Sequence, residues 1–145
     1  MIDAIDRDIL AELERDARIS YKDLASRVRL SPNAVAERVR QLMKSGVIEG
    51  FRADISLAAT GLALQSYVDV KLRMSVAADE FEEAVTKISG VLQVTLTTGS
   101  FDYSLRVACK DQQDLVRLVE ELRAVVPVTE TYSRVILREL TIAKR

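Results

Sequence analysis

Ser31-Pro-Asn-Ala-Val-Ala-Glu-Arg-Val-Arg-Gln-Leu-Met-Lys44 is the stretch whose reading decides this chain. Ser31 can accept a hydrogen bond from the free N–H groups that open a helix, and Pro32 suits the first helical position. Val35, Val39, Leu42 and Met43 recur at helical spacing and are expected to face a core. Asn33, Arg40, Gln41 and Lys44 are expected to face outward. Such a helix can bury one side and offer the other to a DNA groove.

The flanking sequence supplies partners for it. Residues 3–17 read as a first helix with Ile5, Ile9 and Leu13 as its apolar stripe. Ser20 and Asp23 form a capping-box-like S-x-x-D ahead of a second helix, whose buried face is Tyr21, Leu24, Ala25 and Val28. Only Arg29-Leu30-Ser31 separates this helix from the next. Two short helices joined by about three residues, behind a support helix, describe a helix-turn-helix unit. Generic three-helix bundles share that spacing. Gly46 is a candidate for the left-handed cap of the third helix, and residues 47–55 read as a short strand or wing.

After a weakly patterned stretch at 56–64 the period changes from helical to alternating. Strands are expected at 66–73, 91–98, 102–109 and 128–140, with helices at 79–89 and from Asp111 to the stop at Pro127. In the first strand Val68, Val70 and Leu72 share a face; in the second Leu92, Val94 and Leu96 do. The order β-α-β-β-α-β is the ferredoxin-like split unit. The fold class is therefore α+β: a winged helix-turn-helix over residues 1–55, a linker at 56–65 and a ferredoxin-like domain at 66–145. Two helices cover one face of that sheet. The other has no element left to cover it, which points to a second copy of the chain.

Composition narrows the function classes. The net charge is −1, so no global basic field marks a nucleic-acid binder. Between Arg18 and Lys44, however, seven basic residues stand against two acids. That is the footprint phosphate binding leaves, and it also fits an ordinary solvated helical face. The chain has no histidine and one cysteine. Cys109, expected to be a buried small hydrophobe, cannot form an intramolecular disulfide. The sequence holds no plausible nucleophile–base pair and no Cys/His metal cluster. No apolar run approaches the roughly 20 residues of a membrane helix, and the N-terminal residues carry no signal-peptide pattern. The expectation is a cytoplasmic protein, not an enzyme, with no cofactor, no metal and no membrane partner.

Five fragments, in this order and spacing, carry a resemblance: Asp16-Ala-Arg-Ile-Ser20, Leu30-Ser-Pro32, Arg38-Val39 with Leu42, Gly46-Val-Ile-Glu-Gly-Phe51, and Gly99-Ser-Phe-Asp-Tyr103. Over nearly its whole length the chain resembles the Lrp/AsnC, or feast/famine, transcription regulators. The resemblance implies an N-terminal domain that binds double-stranded DNA as a homodimer. It also implies a C-terminal sensing domain that often assembles further, into an octamer as a tetramer of dimers. The effector in such proteins is commonly an amino acid held near the turn before the third strand. Carried onto this sequence, the effector residues are Gly99, Ser100, Phe101, Asp102 and Tyr103, with Thr131 and Ser133 at the start of the fourth strand. Two positions depart from the family's habit. Arg29 stands where a glycine is common between the two helices, and a non-glycine held left-handed there costs roughly 1–2 kcal/mol. Val128 follows Pro127 directly, where a glycine is common.

Within the first domain, Asn33, Arg40 and Gln41 are candidates for base edges, since amides pair with adenine and Arg with guanine. Lys22, Arg27 and Lys44 suit phosphate, and Arg29 is a further phosphate candidate. Ser31, Ala34, Glu37 and Arg38 complete the DNA-facing set, although Arg38 lies near the buried seam and can instead pair with an acid such as Asp8 or Glu12. Asp102 can hold a ligand's ammonium group or cap a strand end; Tyr103 alternates with Leu105 and Val107, which favours the core. Two other functions compete with the regulator. One is a ligand sensor or assembly protein without DNA binding, against which the basic face argues. The other is an enzyme like the siroheme decarboxylases that share this architecture, which rely on histidines this chain lacks.

Overall fold

The computed structural model describes residues 2–140. The chain divides into two compact units, Met1–Asp54 and Ile55–Arg145.

The first unit has three helices, α1 (Ala4–Arg15), α2 (Tyr21–Val28) and α3 (Pro32–Lys44). Each starts where the sequence offers a cap. Asp3 and Asp6 form a reciprocal capping box, with Asp6 N–H donating to Asp3 Oδ1 at 2.8 Å and Asp3 N–H to Asp6 Oδ2 at 3.1 Å. Ser20 Oγ accepts from Asp23 N–H at 3.1 Å, and Ser31 Oγ accepts from Ala34 N–H at 3.2 Å. In α2 the box is only half closed, because the Ser20 hydroxyl itself donates to the short Asp23 carboxylate at 2.6 Å. Ile9, Leu13, Leu24, Ala25, Val35, Val39 and Leu42 form the core. Two residues expected in it lie outside: Tyr21 and Met43 are 45% and 48% exposed. Tyr21 opens α2, and helical side chains lean toward the N-terminus, so its ring projects past the packed turns. Met43 falls about 80° around the helix from Val35, at the margin of the stripe.

Gly46 closes α3 at φ 75°, and Val47 and Ile48 N–H return to the Leu42 carbonyl at 3.0 and 3.1 Å. The strand expected at 47–55 does not form among the described residues. A strand needs a ladder partner, and among the described residues no segment pairs with this one.

The second unit is β1 (Leu64–Leu72), α4 (Ala78–Val85), β2 (Val91–Leu96), β3 (Tyr103–Cys109), α5 (Gln112–Val125) and β4 (Val128–Val135). The sheet is antiparallel in the order β2-β3-β1-β4, the split ferredoxin-like arrangement. Val68, Val70, Leu105 and Val107 meet Phe81 and Val85 of α4 and Leu115, Leu118 and Leu122 of α5 in one core. Cys109 is buried there too.

Several boundaries differ from the sequence pattern for tertiary reasons. β1 begins at Leu64, inside the expected linker. β4 ends at Val135 rather than near 140: Ser66↔Val135 is the last ladder pair, followed by one Ile136 N–H bond to the Gln65 carbonyl, and β1 starts only one residue further, at Leu64, leaving no partner strand for residues 138–140. α4 stops at Val85, although Ile88 still reaches the core from the turn that follows. That turn leads to Gly90, at φ 92°, where a side chain would meet the Ala108 carbonyl oxygen at 2.8 Å. In β2 the register shifts between Val91 and Gln93. The irregularity turns Leu92 outward and leaves Val91 and Val94 on the core, so the expected Leu92-Val94-Leu96 face is corrected. Residues 141–145 of the expected second domain lie outside the described residues.

Candidate nucleic-acid interface and effector turn

The outer face of α3 presents Asn33, Arg40, Gln41 and Lys44 to solvent, with Ser31, Ala34 and Glu37 beside them at its N-terminal half. Glu37 organises the middle of this face. It pairs with Arg40 and accepts from Gln41 Nε2 at 3.2 Å. Two of the three candidate base readers, Arg40 and Gln41, are thus held by one acid, and both are free to exchange it for another partner at little cost, since exposed pairs of this kind contribute under about 1 kcal/mol.

The cations divide into two groups. Lys22, Arg29 and Lys44 are exposed and make no ion pair among the described residues. Arg27 pairs with Glu12 of α1, which also receives Arg15 at 3.3 Å. Arg38 is turned to the helix seam: its Nη1 lies 2.7 Å from both Asp3 Oδ2 and Asp6 Oδ1. Its structural partners are therefore the α1 capping pair, not Asp8 or Glu12. The Asp6 backbone N–H, and then the Arg38 guanidinium, hold the Asp3 carboxyl below its ordinary value; hydrogen bonds to Asp3 and Asp6 raise Arg38 in turn. Sequence periodicity placed Arg38 next to the seam, but the acids that receive it sit 32 and 35 residues away.

The connection between α2 and α3 turns on Arg29, at φ 57° and ψ 46°. It is the one non-glycine residue with positive φ among those described. Its N–H and that of Leu30 both return to the Ala25 carbonyl, which ends α2 and redirects the chain toward the Ser31 cap.

In the second unit, residues 99–103 close the β2–β3 hairpin. Gly99 sits at φ 117° with open space where a side chain would be, and Ser100 is exposed. Asp102 braces the turn. Its N–H donates to the Val70 carbonyl at 2.9 Å, its carbonyl accepts from Thr97 N–H at 2.8 Å, and its Oδ2 accepts from Leu72 N–H at 2.8 Å. Oδ1 is the oxygen left for another donor. Phe101 stacks on Tyr132 of β4 with ring centroids 6.2 Å apart.

Tyr103 is buried, packs 4.5 Å from the Phe81 ring and donates its hydroxyl to Glu82 at 2.7 Å. Its chemistry is committed inward, as alternation indicated. Thr131 shares a cross-strand row with Tyr103 and Val70, while Ser133 lies two residues further along the β4 edge, opposite Val68. The Thr131 hydroxyl accepts from Arg123 Nη2 of α5 at 2.5 Å. Arg123 was invisible as a site residue in sequence, where it is simply a cation in the last turn of a helix.

The uncovered sheet face carries a polar network. Asp69 is buried at its centre, accepting from Ser104 Oγ at 2.7 Å and pairing with Arg134 at 2.7 Å. The Arg134 guanidinium also lies 5.7 Å from the centre of the Tyr67 ring. Among the described residues no cluster of three or more His, Cys, Asp or Glu could hold a metal ion, and no helix is long and apolar enough to cross a membrane.

Comparison with known proteins adds to this geometry. Residues 2–49 match the family described as winged helix-turn-helix DNA-binding, and residues 65–144 the one described as Lrp/AsnC ligand binding domain. The chain is 35% identical to the leucine-responsive regulatory proteins of Escherichia coli and Salmonella typhimurium, over 99% of its own length and 90% of theirs. Among solved structures it is similar to a feast or famine regulatory protein from M. tuberculosis complexed with L-methionine. There the TM-score is 0.93 and the identity 30%, over 100% of this chain and 98% of that one. A transcriptional regulator from Neisseria meningitidis in complex with L-Met gives a TM-score of 0.92 at 28% identity, over 99% of this chain and 94% of that one.

Proposed function

Since the chain belongs to the Lrp/AsnC family of DNA-binding transcription regulators, with a ligand-binding domain after the helix-turn-helix, we propose that it reads double-stranded DNA as a homodimer through α3 and adjusts that binding to an amino-acid effector held at the turn 99–103. The observation that carries the DNA assignment is that Lys22, Arg29 and Lys44 are exposed and make no ion pair among the described residues, with Asn33 and Gln41 exposed on α3. Unpaired cations there fix the register on phosphates, and Asn33, Arg40 and Gln41 address base edges. Arg27 joins the phosphate set by exchanging Glu12 for a phosphate. Arg38 supports the surface by clamping α3 to α1.

The effector assignment is supported by relatives that respond to leucine or are seen with L-methionine, and by the turn itself. Exposed N–H groups around Gly99 suit a carboxylate, and Asp102 Oδ1 suits an ammonium. The effector acts by binding one assembly state more tightly than another, since only differential affinity shifts such an equilibrium. Dimers of the uncovered sheet face are the minimal assembly, and a tetramer of dimers is the larger one. A DNA-binding regulator of this kind works in the cytoplasm, with no cofactor and no catalytic role.

The test is binding of the full chain to the DNA upstream of its own gene, titrated with salt. Affinity is expected to fall steeply with salt, and Lys44→Ala to weaken binding and lower the salt slope by about one. Absence of salt-dependent binding would sink the DNA assignment. A thermal-shift screen of the amino acids tests the effector, because a ligand specific to the native state raises the melting temperature. Light scattering that shows only monomer at micromolar concentration would remove the dimer.

A further inference from the structure

A cleft of about 490 Å³ opens at the end of the sheet where β1 finishes and β4 begins, lined by Arg73, Arg123, Pro127, Val128, Thr129 and Glu130. Backbone and side chains tie its walls together. Arg73 N–H donates to the Pro127 carbonyl at 3.4 Å, and Thr129 Oγ1 donates to the Leu72 carbonyl at 3.2 Å.

Neither arginine makes an ion pair among the described residues. The one acid in the lining, Glu130, stands opposite Lys71 across the β1–β4 ladder. Strand alternation therefore sets it on the other face from Thr131 and the Arg123 that bonds it. Two guanidiniums against one carboxylate leave the cleft with an excess of positive charge. A cation in the last turn of α5 also complements the helix dipole. That role accounts neither for the Arg123 bond to Thr131 nor for Arg73, which lies outside any helix.

The cleft and the effector turn meet at the same end of β1. Tyr103, Val70 and Thr131 form one row across three strands, so the turn and β4 are about 10 Å apart at strand spacing. Asp102 bonds the N–H of Leu72, the residue before Arg73.

We infer that the effector site extends into this cleft and selects an amino acid bearing a second carboxylate, received by Arg123 and Arg73. The inference rests on the reading of residues 99–103 as the effector turn. The amino-acid end lies at that turn and Asp102 Oδ1. The side-chain carboxylate lies in the cleft, where Arg123 leaves the Thr131 hydroxyl for it. A guanidinium fork matches a carboxylate in shape as well as charge, and Pro127 and Val128 supply an apolar wall for the methylene groups between.

Calorimetric titration of the full chain with L-glutamate and L-aspartate, against their neutral isosteres L-glutamine and L-asparagine, tests it. The acids are expected to bind at least about tenfold more tightly than the amides, the scale of a charge-assisted hydrogen bond. Arg123→Gln and Arg73→Gln are each expected to bring that ratio toward one, and Arg123→Lys to keep part of it. Circular dichroism checks that each variant folds; should Arg123→Gln not fold, Arg73→Gln decides. Amides that bind as tightly as the acids, or a ratio unchanged in the folded variants, would overturn the inference. Binding of only apolar amino acids overturns it while leaving the effector turn standing. If no amino acid of any class binds, the effector reading fails and this inference fails with it.

Discussion

Arg29 shows how much one dihedral angle can decide. At φ 57° it carries a cost of roughly 1–2 kcal/mol that a glycine there would not. Glycine also gives the unfolded chain about 0.4–1 kcal/mol more freedom to lose. The two effects oppose each other, so Arg29→Gly is expected to change the unfolding free energy by less than about 1 kcal/mol. DNA affinity should nevertheless fall, with the salt slope reduced by about one, if the side chain meets phosphate. Denaturant unfolding and salt-titrated binding on the same variant separate the two effects; unchanged DNA binding would remove Arg29 from the interface. Tyr103 gives a second residue-scale prediction. Burial, and then the Glu82 carboxylate beside it, push its phenol up to about 12. The folded state thus holds this proton more tightly than the unfolded chain, where a phenol titrates near pH 10. Its contribution to stability is complete below about pH 10 and is lost as the pH rises through about 12. Tyr103→Phe should flatten that decline, as measured by denaturant midpoints across the window.

At the scale of elements, legibility followed range. The starts of α2 and α3 were readable because a cap and the groups it satisfies lie within three residues of each other. Ser31→Ala is accordingly expected to destabilise the first unit by about 1 kcal/mol, visible in urea unfolding, with Pro32 still marking the helix start. Ends set by distant partners were not readable. β4 stops within two residues of the start of β1, and nothing in the residues of β4 announces it. The Leu92 irregularity hid behind a clean apolar alternation, because a register shift belongs to the pair of strands and not to either alone. The expected strand at 47–55 failed for the same reason. Arg123 and Thr131 are eight residues apart in sequence, but one lies on α5 and the other on β4, so no single repeat relates them. Only the packing of α5 against the sheet makes them neighbours.

For the whole molecule, the fold class was legible because a first stretch with period 3.6 alone gives way to one in which periods 2 and 3.6 alternate in the order β-α-β-β-α-β. The polar network on the uncovered sheet face was not. Alternation marks outward positions, but it does not say that Asp69 is buried there between Ser104 and Arg134. If this face meets a second copy, Arg134→Ala leaves the Asp69 carboxylate without its cation at the interface, a loss that costs several kcal/mol when the group is buried. Sedimentation equilibrium is expected to show at least a tenfold weaker dimer, with the Asp69→Asn, Arg134→Gln pair milder than either truncation. A dimer constant unmoved by Arg134→Ala would place the interface elsewhere.

The double duty of Asp102 has a practical consequence for genetics. One carboxylate oxygen pins the end of β1 through Leu72, while the other is the one we propose for an effector's ammonium group. A selection for regulators blind to their effector will therefore collect Asp102 alleles that are blind because the sheet end has come loose. Alleles at Ser100, whose exposed side chain makes no such brace, report on sensing without that confusion.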